Sequence, residues 1–417
     1  MTDRRRSAKN DDTQAVSIAV SDRLSAIPAG TWNRLAATDG IIGPDGLPDN
    51  PFLSHQFLSA LEDSGCVGGR SGWQPQHLLL QDPDGSTVGA APAYAKSHSQ
   101  GEYVFDHGWA DAFERAGGDY YPKLQLSVPF TPATGPRFLV GSEPGIEARR
   151  ATLAAGVEAY VRQTGISSAH ATFLEADDLA TAEASGWLHR TDQQFHFVNR
   201  GYGSYDDFLD TLASRKRKAL KKERREALAN GIAIEQLTGA DLTEPVWDAF
   251  YEFYMDTGGR KWGRPYLNRR FFSLIGERLG SRVLLVMAKR EGRYIAGALN
   301  FLGRRRIYGR NWGCIEEHPF LHFEVCYHQA IDYAIAHELE VVEAGAQGQH
   351  KLARGYEPVT THSAHYVAHP GLRRAIASYL DSERAEVERM QDILGDHTPF
   401  RRGERAGGAV DAAREDD

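Results

Sequence analysis

Cysteine is nearly absent: Cys66, Cys314 and Cys326 are the only three, and none stands in a paired or CxxC spacing. That excludes a disulfide framework and fits a reducing compartment. Long apolar runs are missing as well. No stretch reaches the roughly 18 to 20 uncharged apolar residues that a bilayer crossing needs, and the opening MTDRRRSAKNDDTQ lacks the apolar centre of a signal peptide. Both absences point to a cytoplasmic protein without a transmembrane segment. Positive charge is also in deficit, with a formal net charge of -8, which makes any local concentration of it informative.

What is present is a globular composition: 417 residues, 41% hydrophobic and 25% charged, enough for two ordinary domains with sizeable cores. Residues 1–14 and 400–417 are polar and aperiodic and read as mobile tails. The concentration of positive charge is Arg215 to Arg225, RKRKALKKERR, with eight bases against one acid in eleven positions. Leu209, Leu212, Leu220 and Leu228 recur around it at roughly helical spacing, and Asn230-Gly231 supplies a stop. Two readings stand: a solvated helix face, or a surface for a polyanion in which Arg215, Lys218, Lys222 and Arg225 contact nucleic acid.

The order of signals along the chain recurs. Gln76 to Tyr94 reads as strand, Pro-Asp-Gly turn, strand; Arg282 to Phe301 reads as strand, Glu-Gly turn, strand. Later, an amphipathic helix over Ala148 to Gly165, a strand near Ala169 to Leu174, a short helix and GWLHRTDQQFHFV are answered by a helix over Phe323 to Leu339, the strand EVVEAG and GYEPVTTHSAHYV. Matching Gly89 with Gly297 and Gly186 with Gly355 leaves extra chain in the first half at residues 94–137.

A strand pair leading to a helix, a strand, a helix and a final Gly-aromatic strand resembles the GNAT acyltransferase fold. Two such units with a basic helical segment between them resemble the Fem-type transferases, which move an aminoacyl group from charged tRNA. The stretches NPFLSHQFLSALEDSG, GEYVFDHGWADAF, YYPKL, PFTPATGPR, YGRNWG, LHFEVCY and AGAQGQHKLARGY are similar to the FemAB-like family of predicted N-acyltransferases, described by peptidoglycan biosynthesis or recognition. The resemblance covers about residues 50 to 385. It implies an α/β fold of the mixed-sheet, α+β kind: a GNAT-like domain over 15–200 with the 94–137 insertion, a basic helical linker over 201–232, and a second GNAT-like domain over 233–399.

Several segments carry groups suited to chemistry. The insertion holds Tyr94, Lys96, His98, Glu102, Asp106, His107, Tyr121, Lys123 and Arg137 in Gly-, Pro- and aromatic-rich sequence that reads as a shaped loop. Amide formation needs a base for the ammonium proton, and Asp106-His107 offers a carboxylate and an imidazole; the alternative is that Asp106 caps a helix beginning at Trp109. Glu324 falls on the core-facing stripe of its helix, with Arg310 or Lys351 as the expected countercharge. His318, His322 and Cys326 have an H-x3-H-x3-C spacing, but Pro319 takes His318 out of helical geometry, so no metal is expected. After the strand through Val341-Val342, Glu343 is a base candidate, and Gln347, His350, Lys351 and Arg354 supply donors or a base on a glycine-bearing loop. YGRNWG adds Arg310 and Trp312, with Arg310 also read as a partner of Glu324.

These readings predict an N-acyltransferase that moves an acyl or aminoacyl group to a small-molecule or peptide amine, with the insertion and the 343–356 loop converging on one pocket. The resemblance makes that amine a cell-wall precursor. The donor is acyl-CoA or aminoacyl-tRNA; Arg310-Asn311-Trp312-Gly313-Cys314-Ile315 is the nearest string to a CoA pyrophosphate loop and departs from it at its last position. The competing function is a non-catalytic RNA-binding protein on the same fold, and a third reading puts the basic helix on an anionic membrane surface.

Overall fold

The computed structural model describes residues 16–262, 265–345, 348–395 and 399–401; Gln347, residues 1–14 and residues 402–417 lie outside them. The first half runs β1 (Ser17–Ser21), α1 (Ala29–Ala36), α2 (His55–Asp63), β2 (Trp73–Pro75), β3 (His77–Gln81), β4 (Thr87–Ala91), β5 (Ala93–Lys96), α3 (His107–Arg115), β6 (Lys123–Leu126), α4 (Ile146–Thr164), β7 (Ser168–Leu174), α5 (Ala176–Ala184) and β8 (Leu188–Val198). Two helices follow, α6 (Tyr205–Asp210) and α7 (Ser214–Ala227). The second half runs β9 (Ile232–Leu237), α8 (Glu244–Trp262), α9 (Arg269–Leu279), β10 (Val283–Arg290), β11 (Arg293–Leu302), β12 (Arg306–Cys314), α10 (Leu321–Phe323), a π-helical turn (Glu324–His328), α11 (Gln329–Ala336), β13 (Val341–Glu343), a 3-10 turn (Gln349–Arg354), β14 (Glu357–Val367) and α12 (Pro370–Gly395).

Eleven strands form one mixed sheet in the order β2-β5-β6-β7-β14-β8-β13-β12-β11-β10-β9, and β1, β3 and β4 form a separate small sheet. Each half contributes one parallel pair, β6 with β7 and β12 with β13. The last strands are exchanged. β14, from the end of the second half, pairs with β7 of the first, while β8 pairs with β13 of the second, and β14 and β8 pair with each other from Glu357↔His196 to His365↔Leu188. The sheet is therefore continuous through the exchange, and neither half completes its own.

Patterning explains the layers. On one face, α1 and α2 meet α8 and α9 over an aromatic core including Trp32, Phe52, Phe57, Trp247, Phe250, Phe272 and Phe301. The opposite face is covered by α4 in the first half and by α10–α11 in the second. All seven residues of β7 are buried, as a central strand between two covered faces requires. α4 stops at Gly165, whose φ of 73° suits a residue without Cβ. No helix among the described residues is long and apolar enough to cross a membrane.

Three expectations change. The leucine pattern around the basic run is two helices, since the chain turns at Thr211–Ala213; α7 ends at Ala227, before Asn230-Gly231. The 94–137 insertion contains α3 and β6 and is not all loop: β6 is a buried sheet strand, because KLQL has both faces covered. Phe400, assigned to the tail, bridges to Leu212.

Candidate active site

β12 and β13 run in register through Arg306↔Val341, Ile307↔Val342 and Tyr308↔Glu343, then part. β12 continues along β11 to Cys314, while β13 ends and its chain turns away. Gly309 stands at the fork, where an added Cβ would come within 3.4 Å of the Glu343 carbonyl oxygen. Just beyond, β12 bulges: Gly309 and Asn311 face Asn300 and Leu299, so Arg310 is the extra residue. A cavity of about 100 Å³ opens in the fork, bounded by Asn300, Arg310, Trp312, His322, Cys326 and Tyr327. Trp312 and His322 also line a second cavity of about 320 Å³ reaching Arg260, Glu316, Glu317 and His318.

Glu343 closes the end of β13 and is only 4% exposed. Its Oε1 accepts from Arg306 Nη1 at 2.9 Å, whereas Oε2 has no hydrogen-bond partner among the described protein atoms. His196, its cross-strand neighbour on β8, holds Nε2 at 4.0 Å from that oxygen. Burial lowers the His196 pKa, so this ring favours its neutral form. A buried carboxylate with one oxygen anchored and the other free is poised to accept a proton.

The first-half insertion reaches the fork through the Phe130 carbonyl, which accepts from Arg310 Nη2. The Arg310 guanidinium stands over the Tyr103 ring, and Phe130 stacks on Tyr266 at 4.8 Å. Tyr103 and Phe130 both adopt left-handed φ, 63° and 58°, a conformation unfavourable for side chains of this size and held here by the packing.

On the other side of the fork, the π-helical turn faces the loop after β13. His350 Nε2 lies 3.0 Å from Tyr327 Oη, with its own pKa lowered by burial and by Arg354 and Lys351. Lys351 is buried and donates to the carbonyls of Ala344 and Gly345 at 2.6 and 2.9 Å, so it shapes the loop; burial brings its pKa down to about 8. Arg354 lies 3.4 Å from the Phe323 ring centre and forks onto Glu223 of α7 at 2.8 and 2.7 Å. Glu324 pairs neither with Arg310 nor with Lys351. Its two oxygens accept from Arg224 of α7 at 3.0 and 2.8 Å, and Arg224 also holds Asp332. The reason is the π-turn and α7 lying side by side, a tertiary contact that helical periodicity does not contain. Glu223 further contacts His328 at 2.8 Å, so the inner edge of the basic helix is tied to the turn that lines the cavity. Its outer edge exposes Arg215, Lys216, Lys218, Lys221, Lys222 and Arg225.

The corresponding fork of the first half, where β6 and β7 part beyond Leu126 and Ala171, is filled by its own chain. Arg137, fully buried, donates to the carbonyls of Thr172, Gly135, Pro136 and Ala133 at 2.8 to 3.0 Å. Gln194 donates to the Pro132 carbonyl at 2.7 Å. These four bonds use four of the five guanidinium N–H donors and fix Arg137 within its own loop.

The other insertion residues gather in a buried network away from the second-half fork. Lys123 Nζ donates to Glu102 at 2.6 Å, Asp106 at 2.5 Å and Ser99 at 2.9 Å; Tyr120 Oη donates to Asp106 at 2.6 Å. Lys96 sits 3.6 Å over the Trp73 ring and 3.7 Å from Glu102. Burial is the main cause that brings Lys96 down to about 7 and Glu102 up to about 7. It also pushes Asp106 upward, but there the Lys123 ammonium prevails and holds the carboxyl well below its usual range. Asp106 stands at the N-cap position of α3, a helix that begins at His107, yet its side chain makes no capping bond: Oδ2 accepts from both Lys123 and Tyr120, and Oδ1 has no hydrogen-bond partner among the described protein atoms. His107 is exposed and stacks on Phe105, so the Asp106-His107 pair is split between interior and surface. Tyr94 is a core residue against Trp73 and His77, His98 contacts the Ser71 carbonyl at 3.1 Å, and Tyr121 Oη meets Ser99 Oγ at 2.8 Å.

Arg306, Tyr308, His196 and Asn300 are residues at the fork that the sequence reading does not single out. Arg306 lies in the run Arg304-Arg305-Arg306 just before YGRNWG, which is a readable signal; His196 and Asn300 become neighbours of the fork only through strand register.

A family profile described as FemAB-like, peptidoglycan biosynthesis/recognition, matches residues 23–402. No curated protein matches the chain. Among solved structures, FemX is similar at 12% identity over 77% of this chain and 93% of that one, with a TM-score of 0.48. A tandem GNAT protein from the clavulanic acid biosynthesis pathway is similar at 14% identity over 85% and 99%, TM-score 0.43. L-PGS from Bacillus licheniformis is similar at 10% identity over 78% and 96%, TM-score 0.46.

Proposed function

The chain belongs to the FemAB-like family of peptidoglycan biosynthesis or recognition, and from that premise we propose that it transfers an acyl or aminoacyl group to an amine of a peptidoglycan precursor at the second-half fork. The observation that carries the reading is the carboxylate at the fork: Glu343, with Oε1 fixed by Arg306 and Oε2 free, ends the strand whose next residue, Ala344, lines the cavity between the two diverging strands. In the proposed reaction the acceptor ammonium gives its proton to Glu343 Oε2 and the amine attacks the donor carbonyl. The new N–C bond forms as the nitrogen gives up a second proton, the donor's ester or thioester bond breaks, one proton passes to the leaving group and the other leaves to solvent. Main-chain donors displaced from the ladder at the Arg310 bulge suit the developing oxyanion.

A polyanionic donor, aminoacyl-tRNA in preference to acyl-CoA, is supported by the exposed bases of α7, whose inner edge is bonded to the turn that lines the cavity. Such a face binds phosphates through charge and counterion release. The test is release of the aminoacyl group from a mixed aminoacyl-tRNA pool in the presence of a stem-peptide precursor. Glu343→Gln keeps shape and removes the base, so kcat should fall roughly 10²-fold or more with Tm unchanged. Near-normal turnover by that variant defeats the assignment.

A further inference from the structure

The loop from β12 to α10 carries Glu316 on the edge of the outer cavity. Its carboxylate is gripped from three places: Arg290 Nη1 at 3.1 Å, Arg293 Nη2 at 2.8 Å and His318 Nε2 at 3.0 Å. Arg290 and Arg293 flank the β10–β11 turn, and His318 lies on the loop itself. The neighbouring charges have partners of their own: Arg290 also touches Glu291, while Arg260 pairs with Asp256 and with Glu317, whose side chain is 84% exposed. The His318 and Arg293 hydrogen bonds are the main causes that pull the Glu316 carboxyl down to about 2, so it is ionised throughout the physiological range.

Convergent guanidinium and imidazole donors at these distances form a receptor for a phosphate or carboxylate. Here the receptor is filled by a side chain of the same protein. The cavity that Glu316 borders shares Trp312 and His322 as wall residues with the fork cavity, so Glu316 lies in the direction open to the rest of a donor whose acyl carbonyl occupies the fork and whose tail passes those two side chains. We propose that Glu316 is a built-in anion that occupies this receptor and excludes donors whose tail there is a pyrophosphate, making it a specificity-determining residue. A tethered carboxylate pays no translational entropy to stay bound, so a free phosphate group competes against a high effective concentration.

The inference rests on the reading of the fork as the donor site, but its test measures anion affinity and not turnover. Inorganic pyrophosphate and CoA are titrated calorimetrically into wild type, Glu316→Gln and Glu317→Gln. Removing one tethered charge from two or three cations should tighten both ligands roughly tenfold or more in Glu316→Gln. Glu317→Gln should stay near wild type, and adding Arg290→Met to Glu316→Gln should reverse the gain. If Glu316→Gln does not fold, as judged by its melting profile, Glu316→Ala takes its place. The proposal is overturned if the Glu316 variant binds neither ligand more tightly than wild type, or if Glu317→Gln gains as much. Failure of the fork reading has a different signature, retained turnover in Glu343→Gln.

Discussion

Replacing Lys123 by Met separates the structural from the catalytic reading of the first-half carboxylates. The ammonium is fully buried and bonds Glu102 and Asp106, themselves 3% exposed each, at 2.6 and 2.5 Å. Methionine fills similar space but leaves the buried Asp106 carboxylate without its ammonium, and Glu102, already raised to about 7, with only Lys96, 3.7 Å away, as a nearby cation. Breaking a buried ion set by removing one partner costs about 3–5 kcal/mol, a large part of the roughly 5–15 kcal/mol that stabilises a typical domain. Urea denaturation at pH 7 should show that loss, while kcat of the folded fraction stays near wild type because, among the described residues, no hydrogen bond or ion pair of Lys123 reaches Glu343. Adding Glu102→Gln and Asp106→Asn should restore much of the stability, since the uncompensated charges go too. The pH dependence follows from Asp106. Lys123 holds its folded pKa below the unfolded value of roughly 3.9, so the stability it contributes is present above that pH and fades as pH falls toward the folded value. The variant lacks that lowering, and the gap between the two proteins should narrow below about pH 4. A variant within about 1 kcal/mol of wild type at pH 7 would refute the energetic argument, and unchanged stability with abolished turnover would return Glu102 and Asp106 to the chemistry.

Neutralising Arg215, Lys218, Lys222 and Arg225 together should weaken tRNA binding and flatten its salt dependence, by up to about 0.9 in slope for each phosphate that is no longer neutralised. Fold stability should hardly change, because among the described residues the only ion pair of these four is Lys222 with Glu226, a surface pair; affinity unchanged across a salt series would remove the polyanion reading of α7. Deleting residues 356–417 removes β14 from between β7 and β8 and exposes both edges in mid-sheet. That fragment should be insoluble or unfolded by circular dichroism, and so should residues 1–200 expressed alone; a cooperatively folded 1–200 would show that the exchange is dispensable.

Local order is legible in the sequence. The two hairpins, the helix over Ala148 to Gly165 and the β7 and β14 strands follow from period, turn residues and Gly stops, which act within a dozen residues. The tandem pattern is readable for the same reason, because each half repeats the same order of local signals. Glu343 at a strand end before a glycine-bearing loop is also a local signal, and the strand does end there. Nothing local states which strand lies beside which, so the exchange of β8 and β14 is invisible in the sequence: both fit either sheet, and the choice is made by long-range pairing. The same limit governs the charges. Arg224 reads as one more base in RKRKALKKERR, yet it is held by Glu324, 100 positions away, while Arg215 and Lys218 of the same run stay exposed. Asp106 and His107 are adjacent in the chain and opposite in environment, because a helix start aims one side chain at Lys123 and the other at water. Residue type and spacing determine what an element is; its neighbours across the sheet determine whether a carboxylate meets a cation, a cavity or solvent.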